Sequence, residues 1–236
     1  ASLYHLGDFE GALNEVRLNY RSGTELGDEQ ASGIIFDVWA RVFRTPLPTE
    51  LLEVELQRSR QDRQGSVQVL IAAGIHDVYQ HQWPTAIESL EQAYALARKA
   101  GIFNAYTLPA SAWLATAYRR QAAEVQTYQP RQCKHLLHKA KTAARRAIRQ
   151  SKLCRNDLPR AYRELALAYA MQGNHQRMLR FLDKSVLTAR QHHAEYELAL
   201  SLYYRGTLTN SVTSYNGQAD LDLKRFFHRR FQYRER

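Results

Sequence analysis

Between Tyr162 and Ser185 the chain reads YRELALAYAMQGNHQRMLRFLDKS, and the spacing within this stretch decides the fold. Tyr162, Leu165, Ala166 and Tyr169 recur at three- and four-residue intervals, which puts them on one face of a helix. Gly173-Asn174 interrupts the pattern as a turn, where left-handed backbone is wanted. Met178, Leu182 and Ser185 then resume the periodicity. The stretch is one antiparallel helix pair, with small side chains where the helices approach closely. A second copy has Leu70, Ala73 and Gly74, a turn at Gln82-Trp83-Pro84, and then Ala86, Leu90 and Ala93. A third has Leu114, Ala115 and Tyr118 and, after a longer connection, Ala140, Ala144 and Ala147. Such pairs bury their apolar faces only by stacking on neighbours, so the repetition predicts a stacked helical array with an exposed concave surface.

Working outward, the same periodicity predicts helices over 1–6, 9–20, 29–43, 49–61, 66–81, 84–100, 110–126, 131–152, 159–171, 175–190, 194–205 and 219–233. Pro84 and Pro159 sit where a first-turn proline is tolerated. Gly7, Gly101 and Gly173 sit at helix ends. The polar residues 206–218 read as a linker. The organisation expected is an array over 1–205, that linker, and a basic segment over 219–236 that caps the last pair. Residues 1–6 resemble only the end of a first helix, so the sequence reads as a piece excised from a longer polypeptide.

With 236 residues, 44% of them hydrophobic and 24% charged, the chain can bury a sizeable core. No 18-residue apolar run marks a membrane span. Cys133 and Cys154 lie at either end of one predicted helix, about 31 Å apart at about 1.5 Å per residue, too far to pair. Free thiols fit a reducing cytoplasm.

The spacing of Tyr or Trp, Leu, Gly or Ala, Tyr, Ala, Phe or Leu, and Ala resembles the tetratricopeptide repeat family over nearly the whole chain. The match is best at 162–190, moderate at 70–98 and weaker at 111–149. The longer units, with tracts such as Ala-Arg-Lys-Ala-Gly and Gly-Asp-Phe-Glu-Gly-Ala-Leu, resemble the repeat regions of bacterial signal-transduction ATPases and multidomain kinases. That resemblance implies a sensor or scaffold region of a larger regulator.

By register, the family's groove positions fall on Asp37 and Arg41, on Ile71, Val78 and Tyr79, and on Arg119 and Arg120. The next pairs add Arg160, Arg163 and Leu167, then Glu195 and Arg205. Arginine recognises carboxylate or phosphate with several donors at once, so the groove implies a peptide or a small acidic effector as ligand. The alternative is that these arginines are solvated, or pair with nearby acids.

A second feature is the segment from Val125 to Asn156, which holds nine Lys or Arg and neither Asp nor Glu. Arg131, Lys134, Lys141, Arg145, Arg149 and Lys152 share one helical face; Leu136, Ala140, Ala143, Ala144, Ala147 and Ile148 take the other. With a net charge of +10, this basic amphipathic helix suits an acidic partner. Nucleic acid is one, although that face carries no interleaved aromatics for stacking. The bland reading is a solvated helix face. The run Lys224-Arg225-Phe226-Phe227-His228-Arg229-Arg230-Phe231 reads either as a grip on anionic surfaces or as a capping helix whose arginines reach water.

His135 and His138 beside Cys133, His76 and His81, and the pair His192-His193 do not complete a zinc set. No phosphate-cradling loop, nucleophile elbow or kinase signature is present. The sequence therefore reads as an all-α, right-handed α-solenoid of about six antiparallel pairs, without catalytic residues, metal or cofactor. Its expected role is to bind a protein segment, a peptide or a small acidic effector, with nucleic acid as the alternative.

Overall fold

The computed structural model describes residues 2–28, 35–42 and 47–210, and these form helices without any strand among them. The helices are α1 (Ser2–His5), α2 (Phe9–Glu25), α3 (Phe36–Arg41), α4 (Thr49–Gln57), α5 (Arg63–Tyr79) and α6 (Trp83–Ala100). They continue as α7 (Pro109–Glu124), α8 (Pro130–Gln150), α9 (Leu158–Ala170), α10 (His175–Gln191) and α11 (Glu195–Asn210).

Local chemistry sets these boundaries. Asp62 opens α5 by accepting the backbone N–H groups of Gln64 at 3.0 Å and Gly65 at 2.7 Å, which starts the helix three residues before the apolar pattern does. Asp8 and Asn174 cap α2 and α10 in the same way, through the N–H groups of Gly11 and Arg177. Prolines occupy the first turns of α6, α7, α8 and α9, where a missing N–H leaves no bond unmade. Gly101 closes α6 at φ 69°, and the N–H of Ile102 returns to the carbonyl of Ala97 at 2.9 Å.

Consecutive helices pack against each other in two layers. The pairs α5 with α6, α7 with α8, and α9 with α10 make the most extensive contacts. An inner layer forms where α3 meets α5, α5 meets α7, α7 meets α9 and α9 meets α11; α6, α8 and α10 lie outside it. Gly74 shows why small residues sit at the contact points. A β-carbon there would collide with Leu90 Cγ and come within 3.1 Å of the Ala86 carbonyl. Leu90, Leu165, Leu182, Met178 and Trp113 fill the core between the layers, each nearly or fully enclosed. Burial of side chains this size stabilises by about 1.5–3 kcal/mol each.

Among the described residues the first helix also meets the last: α1 packs on α11. The ring of Tyr196 stands edge-on to Tyr4 at 5.6 Å and to Phe9 at 4.9 Å.

The polar stretch expected to begin a linker at 206 begins as helix instead, since α11 runs to Asn210. Leu208 packs against the core, and the hydroxyls of Thr207 and Thr209 donate back to the carbonyls of Tyr203 (3.0 Å) and Arg205 (2.6 Å). Threonines that look loop-forming in sequence therefore satisfy themselves within the helix. The rest of that linker and the basic segment 219–236 lie outside the described residues, as does most of 29–43 apart from α3.

Candidate functional site

The inner faces of α5, α7, α9 and α11 converge on a cavity of about 300 Å³. Arg119, Arg120, Arg160 and Arg163 wall it, with Glu164 and the aromatic residues Tyr79, Trp83, Trp113, Tyr196 and Tyr204. Its size lies at the lower end of the range of small-molecule and peptide side-chain pockets.

Three of the four arginines are held by buried carboxylates. Arg119 on α7 donates Nε to Glu164 Oε2 at 2.5 Å and Nη2 to Oε1 at 3.3 Å, a two-pronged bond across to α9. Arg160 on α9 reaches Glu197 Oε1 on α11 at 3.2 Å. Arg163, only 2% exposed, takes the other oxygen of Glu197 and lies 3.4 Å from Ser201 Oγ. Burial works against ionising Glu197, yet Arg163 and Arg160 outweigh it and hold the carboxyl at about 2. Glu164 follows the same balance: burial raises it, and the bonded Arg119 brings it below the ordinary carboxylate range.

Arg120 differs. It is exposed at the cavity wall and has no hydrogen-bond or ion-pair partner among the described residues. Among the described residues, Glu164 and Glu197 are the carboxylates bonded to Arg119, Arg160 and Arg163, so the four arginines outnumber their bonded acids by two. The indole N–H of Trp113, itself 1% exposed, has no acceptor among the described residues either. The exposed guanidinium of Arg120 presents several donors suited to an acceptor-rich, negatively charged group.

His81 lines the cavity in left-handed backbone at φ 60°, a conformation a non-glycine residue rarely holds. It occupies the turn position that Gly173 fills between α9 and α10. Its ring lies 5.1 Å from that of Trp83.

The structure therefore brings Tyr79, Arg119, Arg120, Arg160 and Arg163 together, with Val78 beside them. It places the other groove candidates elsewhere. Asp37 and Arg41 pair with each other at 2.9 Å, and Arg41 extends to Asp157 at 3.4 Å. Burial pushes the Asp37 carboxyl up despite Arg41, so this neighbouring cluster adds at most one negative charge. Ile71 and Leu167 are core residues. Arg205 is exposed and turned to α10, where its Nε meets Asp183 at 2.7 Å; the ion pair sets its direction away from the cavity. Glu195 does not line the cavity; Glu197, two residues on, carries the counter-charge. Sequence reasoning missed Glu164, Glu197 and the Tyr196, Leu200, Tyr204 face, whose four-residue spacing along α11 was its only signal.

On α8, Arg131, Lys134, Arg145 and Arg149 are exposed, as is Lys152 in the turn after it, and Lys141 is half-buried, while Leu136, Ala140, Ala143, Ala144 and Ala147 are buried. The buried apolar face docks this helix, and cation–aromatic contacts add to it: Arg146 lies 3.6 Å over the Tyr94 ring and Lys139 lies 5.2 Å over that of Tyr118. Cys133 and Cys154 are both free thiols. Among the described residues, no three His, Cys, Asp or Glu side chains cluster as metal ligands, and no helix is long and apolar enough to cross a membrane. No family model matches the chain, and neither does any curated protein or solved structure compared with it.

Proposed function

We propose that this chain is a non-enzymatic binding module whose inner cavity holds an acidic segment of a protein partner or a small acidic effector. The observation that carries the reading is the excess of arginine: four arginines against two bonded glutamates around a cavity of about 300 Å³. Arginine stays protonated at all ordinary pH, so these groups suit holding an anion rather than moving protons. The aromatic walls add apolar contact around that charge, as ligand sites commonly do.

The wider setting is part of the proposal. Stacked helix pairs with small residues at their contacts support a right-handed solenoid of about six pairs, of the tetratricopeptide repeat type. The module then serves as the partner- or ligand-sensing region of a larger bacterial signalling regulator in the cytoplasm. A thermal-shift screen tests the reading, because a ligand that binds only the folded state raises the melting temperature with its occupancy. Acidic peptides and small polycarboxylates should stabilise the protein, basic peptides of equal length should not, and the absence of any acidic stabiliser would refute it.

A further inference from the structure

Away from the cavity, cations from two outer helices meet over one tyrosine. Arg145 of α8 donates to the Tyr169 hydroxyl at 2.8 Å, and Arg177 of α10 reaches the same oxygen at 3.5 Å. Lys141 stands 5.4 Å from the centre of that ring and is fixed by Gln172 Oε1 at 2.7 Å. No carboxylate bonds to any of these three among the described residues; Asp183 on α10 is taken by Arg205. The crowding leaves its mark on titration. Burial and then Arg145 and Arg177 push Lys141 down, and the two guanidiniums bring the Tyr169 phenol below its ordinary value against the effect of burial.

The surroundings extend this site in two directions. Along α8 and into the turn that follows it, Arg131, Lys134, Arg149 and Lys152 are exposed with no ion-pair partner among the described residues. At about 1.5 Å per residue they continue the charge over roughly 30 Å. Across α9 and α10, Tyr169 stacks on Phe181 at 5.7 Å and 9°, and Phe181 on Tyr162 at 6.2 Å. Lys184 lies 5.6 Å from the Phe181 ring. The aromatics missing from the α8 face are thus supplied by its neighbours, with Tyr162 and Phe181 half-exposed.

We propose that the surface between α8 and α10 is a docking surface for a single nucleic-acid strand, with a phosphodiester seated on Lys141, Arg145 and Arg177, which cover the buried Tyr169. A lone phosphate would use only the centre of the strip. A polyanion uses its length, and the unpaired bases of a single strand can reach the exposed edges of the stacked Tyr162 and Phe181 rings.

Fluorescence anisotropy with a labelled fifteen-nucleotide oligothymidine and the full chain, over a series of salt concentrations, tests this. Binding should be saturable at low salt and weaken steeply as salt rises. The pair Arg145→Gln and Arg177→Gln should weaken it at least tenfold and flatten the log–log salt slope by roughly 0.7 for each lost contact. Because Arg145 also touches Tyr169, the pair Arg149→Gln and Lys152→Gln, which removes only solvent-facing charge, should weaken binding severalfold with an unchanged melting temperature. Arg17→Gln with Arg21→Gln on α2 removes equal charge and should leave binding intact. The proposal is overturned if the oligonucleotide does not bind at low salt. It is equally overturned if the α2 pair costs as much as the Arg149 and Lys152 pair, or if only Arg229→Gln with Arg230→Gln abolishes binding. Association with phosphatidylserine vesicles or an acidic peptide through the strip, without the oligonucleotide, would overturn it in favour of that surface.

Discussion

Arg160 lies flat over Trp113, its guanidinium 3.7 Å from the ring centroid, while the same group bonds Glu197 at 3.2 Å. One side chain thereby joins α7, α9 and α11 around the cavity. The stack replaces the hydration that a buried guanidinium loses, and Glu197 supplies its counter-charge.

Removing one member of the buried pairs should therefore cost far more than removing both. Arg119→Leu alone leaves Glu164 charged and enclosed, with an expected loss of about 3–5 kcal/mol. Adding Glu164→Leu should recover most of it, because two apolar groups then fill the same space. Urea denaturation of the two single variants and the double gives the coupling directly, and additive losses would contradict the pairing.

Stability should fall in acid with a recognisable origin. Glu197 is held at about 2 against an ordinary 4.5, so its contribution is fully present above pH 4.5 and disappears as pH falls towards 2. The difference is on the order of 3 kcal/mol. Glu164, also lowered, acts in the same direction. Melting curves between pH 7 and 2 should steepen below pH 5, and Glu197→Gln should start less stable but lose less over that window. An equal acid loss in Glu197→Gln would place the titrating group elsewhere.

Gly74→Ala should destabilise by about 1–3 kcal/mol, although alanine favours helix, because the methyl meets Leu90 and the Ala86 carbonyl. Combining it with Leu90→Ala should relieve the collision, and the double variant should cost less than the sum of the singles. A neutral Gly74→Ala in chemical denaturation would show that α5 and α6 sit further apart.

Which parts were legible in the sequence follows from what each signal depends on. Helix pairs were readable because Ala86, Leu90 and Ala93, and again Tyr162, Leu165, Ala166 and Tyr169, recur at helical spacing, and Gly173 and Asn174 mark a turn between helices. That the arginines on α7 and α9 share the inner face that lines the cavity was readable from register. Their counter-ions were not, since Glu164 and Glu197 reach partners 45 and 34 residues away, a pairing that only packing creates. Arg205 misled because register fixes a helical face but not which neighbour holds the side chain; Asp183 does. Tyr4 gave no hint of meeting Tyr196, because contact between α1 and α11 depends on how the stacked pairs turn, summed over the whole array.

If the cavity takes an acidic ligand, its own tryptophans should report on it. Trp83 and Trp113 line the cavity, leaving Trp39 as the third in the chain. Titration of a glutamate-rich peptide should change intrinsic tryptophan fluorescence saturably. Arg120→Gln, which breaks no ion pair among the described residues, should weaken that binding about tenfold without shifting the melting temperature of the free protein. Unchanged affinity in Arg120→Gln, or no fluorescence change with any acidic peptide, would contradict the account.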